Sequence, residues 1–433
     1  MKTSRALAGS LLAGLLLLAG CGGHQQPGGS AAGASGSASS GPSSSTGRAT
    51  KHHASATSST STSSTSTGRS TPPASTAPST QPTGTAAAQM PSGTAVPAGF
   101  KPYSVTYVSS STGYILGAAP CSHAPCTSLV RTTDGGASWH GVPAPVVIST
   151  GGSGGPYVAR PDAVRDVRFA SPTDGWAFGG ALYATHDGAA HWHKISLPGS
   201  VLDLETGGTT AYAVVASCDS SGRSCQNEHL YATPVGRDAW VRIPAATGTG
   251  TVTGSGGELS IAGGHAMALL GTKLFVRTST GWTPSTPCTS KVSGGAVDSI
   301  SASASGSALF ALCPAGAGLG HLYVDVYRST DGGQQWSRRA HGVNTTDAAH
   351  SLTAASPTTL ALATSSIDLR GALSVSWDGG ASWHNAVAPD LSQGWRYVGA
   401  RGATSLVALP GKPTGSIYSS SDGGHSWHAQ RVG

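Results

Sequence analysis

Charged and aromatic side chains are scarce in this chain of 433 residues, at 10% and 6% of the total. Residues 1–97 contain no Asp or Glu and five basic residues, so the remaining 336 residues carry 20 Lys and Arg against 19 Asp and Glu. That larger part of the chain is nearly neutral. Because a nucleic-acid binder neutralises phosphates with clustered Lys and Arg, the composition predicts no nucleic-acid partner.

Glycine and proline are abundant instead, with 62 and 26 residues, about a fifth of the chain. Both residue types weaken helix interiors, so the composition argues against a mainly helical protein. An apolar run, Ala6–Ala19, follows Lys2 and Arg5. It is too short to span a bilayer as a mature helix, and residues 1–20 are therefore predicted to be an export signal.

The residues Leu18-Ala19-Gly20-Cys21 end this run and resemble the bacterial lipobox, in which signal peptidase cleaves before the cysteine. The resemblance implies that Cys21 carries lipid and anchors the exported protein to the bacterial cell membrane, facing outward. Acyl chains contribute about 0.8 kcal/mol per buried methylene, so several chains would hold the protein firmly. The alternative is an ordinary cleaved signal peptide with a cysteine at this position by chance.

Residues 21–97 are predicted to be a disordered tether. Residues 22–97 are mostly Ser, Thr, Gly, Ala and Pro and contain no aromatic residue, so they cannot offset the entropy cost of ordering the backbone. Such a tether reaches about 50 Å. His52 and His53 within it are predicted to bind no metal, and the globular domain is assigned to residues 98–433.

Six cysteines remain after Cys21, and an even number in an exported chain favours three disulfides over metal ligands. Short loops favour local pairing, and the third pair follows by elimination. The predicted disulfides are Cys121–Cys126, Cys218–Cys225 and Cys288–Cys313. The alternative for the first pair is a metal clip that includes His123, but neither a metal nor another cofactor is predicted.

A segment that ends in tryptophan occurs five times in the chain. The five copies share Ser or Thr, then Asp, Gly and the closing Trp, at Asp134 and Trp139, Asp187 and Trp192, Asp331 and Trp336, Asp378 and Trp383, and Asp422 and Trp427. Shortened relatives end at Trp240 and Trp282, so that seven tryptophans are spaced by about 48 residues on average. This spacing is typical of one four-stranded propeller blade per tryptophan.

The pattern Ser/Thr-x-Asp-x-Gly-x-Ser/Thr-Trp resembles the Asp-box, or BNR, repeat of sialidase-like propellers. Gly113–Gly117 and Asp174–Gly179 add an element similar to the propellers of photosystem II assembly and stability factors and of sortilin-type receptors. The resemblance covers about residues 104–433 and implies an all-β propeller of four-stranded antiparallel blades, and the seven tryptophans predict a seven-bladed β-propeller. Activity stays open, because this repeat occurs in enzymes, receptors and assembly factors.

A single four-stranded meander cannot bury both faces, so each tryptophan is expected to fill the gap to a neighbouring blade. The five Asp residues are expected to accept N–H groups of their own turns. Because they recur once per blade around a ring, a calcium site or acid–base pair is not predicted. The histidines after Trp139, Trp192, Trp383 and Trp427 are expected to be exposed and too far apart to share a metal. The first strand is expected to close against the last blade.

Ligands are expected on the face opposite these turns. Loops between second and third strands and connections between blades emerge there, including two of the predicted disulfides and the long connection Pro143–Pro161. Tyr157, Arg160 and Lys412 lie in these loops and are the candidate binding residues. The alternative is that the disulfides only protect an exported protein from proteolysis.

No catalytic residue is predicted. Ser153 lies in a Gly/Ser-rich loop without the strand–turn–helix context of a nucleophile elbow. A sialidase needs three arginines, a Tyr/Glu pair and an acid or base, whereas this chain has three glutamates, Glu205, Glu228 and Glu258. We therefore expect a binding or assembly module for another protein or an envelope glycan. The alternative is a sialidase-like glycoside hydrolase, which would need carboxylates and at least three arginines converging in one pocket.

Overall fold

The computed structural model describes residues 90–433 apart from residue 125 and the segments 152–157, 249–250, 254–255, 319–320, 346–348, 366–370 and 387–393. The predicted signal peptide, Cys21 and most of the predicted tether lie outside the described residues. Within these residues the chain contains no helix, and thus no helix long and apolar enough to cross a membrane. Its strands form seven consecutive antiparallel sheets, so the prediction of a seven-bladed β-propeller is confirmed.

Each blade uses four consecutive strands, of which the first is the innermost. Blades 1 to 4 contain β1 (Lys101–Tyr107), β2 (Gly113–Ala118), β3 (Thr127–Thr132) and β4 (His140–Val142); β7 (Asp166–Phe169), β8 (Gly175–Phe178), β9 (Leu182–Thr185) and β10 (His193–Ile195); β11 (Ser200–Gly207), β12 (Thr210–Cys218), β13 (Ser224–Pro234) and β14 (Val241–Thr247); and β16 (Glu258–Ala262), β17 (His265–Leu270), β18 (Lys273–Thr278) and β19 (Gly281–Ser285). Blades 5 to 7 contain β20 (Ser299–Ala302), β21 (Leu309–Gly318), β22 (His321–Ser329) and β23 (Ser337–Asn344); β24 (Ala349–Ala354), β25 (Leu360–Ser365), β26 (Leu373–Ser376) and β27 (His384–Asn385); and β28 (Trp395–Ala400), β29 (Leu406–Pro410), β30 (Ser416–Ser420) and β31 (His428–Arg431).

Three short strands lie outside this scheme. β5 (Ile148–Ser149) pairs in parallel with β6 (Ala163–Val164) inside the long connection between blades 1 and 2. β15 (Thr251–Thr253) extends the sheet of blade 3 by pairing with β13. Both additions lie at the loop face, which we define as the face that carries the loops between second and third strands and the connections between blades.

Apolar side chains pack between the blades. Among the described residues, seven buried clusters occur, and each draws its members from two adjacent blades. The blade tryptophan packs at the junction with the preceding blade: Trp139 lies against blade 7, for example, and Trp427 against blade 6. The expected role of the tryptophans as fillers between blades agrees with this packing.

The ring closes without exchange of strands between the first and last blades. β1 contacts β29 and β30, and one cluster joins Phe100 and Val105 of the first blade to Leu409 of the last. The folded part also begins earlier than the predicted boundary at residue 98, because Thr94 and Gly141 exchange two backbone hydrogen bonds of 2.9 Å. This extra pairing covers the outer edge of blade 1. The sequence around Thr94 lacks the alternation of a strand and therefore does not predict the pairing.

The turns between third and fourth strands define the opposite face, which we call the turn face. In blade 7, the Ser420 hydroxyl donates to Asp422 Oδ1 at 2.7 Å and accepts the Gly424 N–H at 2.8 Å. The Ser426 N–H donates to Asp422 Oδ1 at 3.0 Å. The other four Asp-Gly turns repeat these three bonds. The carboxylates are thus bonded within their own turns, which supports the structural role expected for them.

The hydrogen bonds of these turns favour ionised carboxylates. Burial acts to raise the pKa of Asp378, but the hydroxyl and N–H of Ser382 and the hydroxyl of Ser376 lower it to about 2. Bonds from Ser138 and Ser426 likewise lower the pKa of Asp134 and Asp422. These turns therefore keep their charge through the physiological pH range.

All three predicted disulfides are present, with Cα–Cα distances of 5.6, 4.0 and 5.5 Å for Cys121–Cys126, Cys218–Cys225 and Cys288–Cys313. The first two close loops between second and third strands, on the loop face. The third joins the connection that enters blade 5 to β21, the second strand of that blade. The local pairing predicted from loop length is confirmed.

Removal of one tryptophan tests the importance of packing between blades. Trp427 is 4% exposed between blades 6 and 7, so Trp427→Ala is expected to lower the free energy of unfolding by about 3–5 kcal/mol. The neighbouring side chain of His428 is exposed, and His428→Ala should change it by less than about 0.5 kcal/mol. Urea denaturation of both variants measures the difference. Equal losses of unfolding free energy would contradict the assignment of Trp427 to the packing between the blades.

Candidate functional site: an axial charge cluster

Charged side chains meet at the axis of the propeller, where the seven innermost strands face one another. Arg168 of β7 forms an ion pair with Glu205 of β11 at 2.6 Å, and the two side chains are 16% and 21% exposed. Arg168 Nε also donates to the Leu204 carbonyl at 3.4 Å. Tyr397 of β28 lies beside this pair. Three blades thus contribute to one half-buried polar cluster.

Features of the local sequence position the side chains of Tyr397, Asp203 and Glu205. A Cβ atom at position 399 would collide with the Tyr397 hydroxyl, so Gly399 leaves the space in which the tyrosine side chain lies along its own strand. In β11, a register shift between Val201 and Asp203 marks a β-bulge. Asp203, after the bulge, accepts the Leu259 N–H of the next blade at 2.7 Å, and Glu205 follows two residues later.

Burial changes the proton affinity of the carboxyls in this cluster. It raises the pKa of Glu205 to about 7, and the charge of Asp203 adds to the effect, although Arg168 opposes it. Burial also raises the pKa of Asp203 to about 6 and that of Glu258 well above its ordinary value. For Arg168, burial acts to lower the pKa, but the surrounding negative groups together, Glu205 foremost, more than offset it and the pKa rises. The cluster therefore retains protons close to neutral pH, a property concentrated at functional sites.

A second group of charges lies where the axis opens on the loop face. Arg165 and Arg396 stand at the starts of β7 and β28, and we call them, with Tyr103 and Asp166, the mouth residues. Arg396 Nη1 donates to the Gly151 carbonyl at 2.6 Å, and Arg165 Nε lies 3.5 Å from Asp166 Oδ2. Burial lowers the pKa of Arg396 to about 10, with a further contribution from the repulsion of Arg165. The two guanidinium groups thus repel each other, and the partly exposed carboxylate of Asp166 acts on both.

Two of the three candidate binding residues predicted from sequence, Arg160 and Lys412, lie in loops of the loop face. Arg160 pairs with Asp162 at 2.7 Å in the connection between blades 1 and 2. Lys412 is exposed in the loop between β29 and β30 of blade 7. Tyr157, like Ser153, lies outside the described residues. Their assignment as binding residues stays a prediction.

Sequence reasoning missed the axial residues and the mouth residues. Their signal was weak, because single charges in Asp166–Phe169 or Trp395–Ala400 look like solvent-facing positions of ordinary strands. Their position in the repeat could have identified them, because they lie in or beside the first strand of a repeat and first strands line the axis of a propeller. Of the three glutamates noted in the sequence, Glu205 belongs to the cluster and Glu258 begins the innermost strand of blade 4.

Comparisons with known proteins agree with the fold. No family model matches the chain, and no curated protein matches it. Among solved structures, an ancestral GH74 enzyme is similar at 12% identity and a TM-score of 0.51, covering 77% of this chain and 46% of that chain. YCF48 from Cyanidioschyzon merolae is 16% identical with a TM-score of 0.49, covering 76% of this chain and 98% of that chain. A structure of YCF48 bound to D1 peptide is also 16% identical, with a TM-score of 0.46 and coverage of 79% and 100%. The likeness to the GH74 enzyme shows the propeller fold alone.

The raised pKa of Glu205 makes stability depend on pH. Its folded pKa of about 7 exceeds the ordinary 4.5, so the folded state binds more protons between these values. The resulting stability is present below the lower value and lost as pH rises through the higher one. We expect the melting temperature to fall between about pH 5 and about pH 8, and to fall less in Glu205→Gln, which cannot ionise.

Differential scanning fluorimetry over a pH series measures this slope. The matched control is Asp162→Asn, because Asp162 is an exposed carboxylate on the loop face with a pKa that Arg160 lowers. The control should keep the wild-type slope. A Glu205→Gln variant with the same slope as wild type would contradict the assignment of raised proton affinity to this side chain.

Proposed function

We propose that this protein is an extracytoplasmic, membrane-anchored binding or assembly module, and that its mouth residues bind an anionic group of a protein or envelope-glycan partner. The observation that carries the proposal is the pair Arg165 and Arg396 at the axial opening, with Asp166 as the adjacent carboxylate. Like charges held together are stabilised by a bound anion. Guanidinium groups bind carboxylates and phosphates through paired hydrogen bonds.

The surroundings of the mouth support recognition of a large partner. The disulfides Cys121–Cys126 and Cys218–Cys225 constrain loops on this face, and loops with restricted freedom lose less entropy on binding. Three disulfides also indicate an extracytoplasmic location, because disulfides persist in oxidising compartments. Arg160 and Lys412 would contact the parts of a partner that extend beyond the axis.

The proposed lipid anchor is inferred from the sequence. Cys21 at the end of the lipobox-like segment would carry the lipid, and residues 22–97 would separate the propeller from the membrane by about 50 Å. In this arrangement the loop face can search a layer of the cell envelope while the protein stays on the membrane. A binding module gains effective concentration from such tethering.

The mouth is tested by Arg165→Ala in the full chain. Loss of one charge-assisted hydrogen bond of about 1.5–3 kcal/mol should weaken partner binding about 10- to 100-fold. Arg396→Lys keeps the charge but removes the planar donor pair, and we expect an intermediate effect. The control is Arg237→Ala, the same change at an exposed arginine on the turn face.

The measurement is capture from envelope extracts beside a glycan array, followed by titration with the partner so identified. Equal affinity of wild type, Arg165→Ala and Arg237→Ala would refute the mouth as the binding site. Thermal melting of each variant separates lost binding from lost folding.

The anchor is tested by Cys21→Ala. Without the cysteine, the protein should lose lipid labelling and either leave the membrane fraction or keep an uncleaved signal peptide. Ser→Ala changes within residues 22–97 serve as the control and should leave fractionation unchanged. Lipid labelling and membrane retention of the Cys21→Ala variant equal to wild type would contradict a lipid anchor at this position.

A sialidase-like glycoside hydrolase is the second candidate, and one observation favours it. Arg165, Arg168 and Arg396 all lie along the axis near Glu205 and Tyr397, the residue types that such an enzyme needs. However, Arg168 is engaged by Glu205 and by a backbone carbonyl, and Arg396 by the Gly151 carbonyl, so a substrate carboxylate would compete with internal partners. Release of reducing sugar in the glycan experiment, abolished by Glu205→Gln, would establish this candidate instead.

A further inference from the structure

Two histidines and an aspartate converge at the turn face, on the boundary between blades 2 and 3. His193 Nε2 lies 2.6 Å from Asp238 Oδ2, and His186 Nε2 lies 3.1 Å from the same oxygen. The three ligand atoms are all within 4.8 Å of one another. The side chains of His186, His193 and Asp238 are 30%, 50% and 22% exposed, so the group is open to solvent on one side.

Within the part of the chain that the structure describes, such a group of two histidines and an aspartate occurs only between blades 2 and 3. In the five regular turns the aspartate accepts hydrogen bonds from its own turn, whereas Asp238 belongs to the shortened turn of blade 3 and points at the histidines of blade 2. Blade 6 offers the comparison. Its residues at the positions of His186 and His193 are Trp377 and His384, whose rings stack at 5.2 Å.

A further carboxylate orients His186. Asp174 Oδ1 lies 3.0 Å from His186 Nδ1, and its Oδ2 accepts the hydroxyls of Ser171 and Thr173 at 2.7 and 2.9 Å. An Nδ1–H that donates to Asp174 leaves the Nε2 lone pair directed toward Asp238 and His193. This carboxylate–histidine relation is the usual outer support of a metal-bound imidazole.

We propose that His186 Nε2, His193 Nε2 and Asp238 Oδ2 bind a Zn²⁺ ion that links blades 2 and 3. Two imidazoles and a carboxylate are a preferred donor set for zinc, with bonds of about 2.0–2.2 Å. In a tetrahedral site such bonds place ligand atoms about 3.3 Å apart, so the two short contacts to Asp238 open by a few tenths of an ångström or more. The exposed side leaves the fourth position to water.

Zinc binding is measured by titrating the metal-stripped full chain with Zn²⁺ in competition with a chromogenic chelator. The background is the His52→Ala/His53→Ala variant, so that the two adjacent histidines of the N-terminal segment cannot contribute to the titration. One equivalent should bind tightly in this background. His193→Ala should reduce the affinity at least 100-fold, and Asp174→Asn about 10- to 100-fold.

The matched control is His384→Ala, which removes the equivalent histidine of blade 6 and should leave zinc affinity unchanged. Because a bound ion stabilises the folded state, Zn²⁺ should also raise the melting temperature of the background variant and of the His384→Ala variant but not of His193→Ala. His193 is half exposed, so its replacement leaves the fold intact. Absence of a tight equivalent, or equal zinc affinity of the His193→Ala and His384→Ala variants, overturns the proposal.

Discussion

The structure depends on the fact that a blade cannot cover its own apolar faces. Each four-stranded sheet presents two such faces. Removing apolar surface from water stabilises the fold by about 25 cal/mol per Å², but only where a second surface covers the face. The seven clusters between blades supply that cover, one at each junction. A partial ring would leave two faces exposed, so this packing requires closure. Each blade tryptophan packs against the preceding blade, so the junctions resemble one another although the blades differ in sequence.

Closure brings the innermost strands together, and this creates a second constraint. The edge of each innermost strand that faces the axis is not paired within its own sheet and carries free N–H groups, and side chains of the neighbouring innermost strand accept several of them. Hydroxyls do this at several junctions: Ser104 accepts the Val167 N–H at 3.1 Å, and Ser301 accepts the Ala354 N–H at 2.9 Å. Asp203 and Glu258 perform the same task for blades 4 and 5. Carboxylates are more costly to bury than hydroxyls, which their raised pKa values reflect.

Because serine is sufficient at other junctions, closure alone does not explain the charges around β11. The carboxylates there lie beside Arg168 of β7 and Tyr397 of β28. The two mouth arginines stand at the starts of these same two strands. Groups retained at a cost to folding are typical of sites selected for another property. This reasoning connects the axial cluster to the proposed binding function independently of any likeness to other propellers.

The repeat made the fold predictable, because the tryptophan, the Asp-Gly turn and the disulfide loops are each encoded within one blade. The axial cluster could not be predicted in the same way. Arg168, Glu205 and Tyr397 come from blades 2, 3 and 7, and only ring closure brings the innermost strand of blade 7 to those of blades 2 and 3 at the axis. The pairing of Thr94 with Gly141 is likewise invisible to a search for strand periodicity, since a single bridge has no period.

The seam between blades 1 and 7 joins stability to the proposed function. Arg401 lies over the Tyr107 ring at 3.8 Å and donates to the Ser110 carbonyl at 2.8 Å, while Arg396 of the mouth donates to the Gly151 carbonyl across the same seam. Arg396 is therefore part of ring closure as well as of the mouth, and its replacement affects both. Arg165 pairs with Asp166 of its own blade. Substitution of Arg165 changes the charge of the mouth and leaves the bond from Arg396 to the Gly151 carbonyl in place, so comparing the Arg165 and Arg396 variants relates recognition to closure.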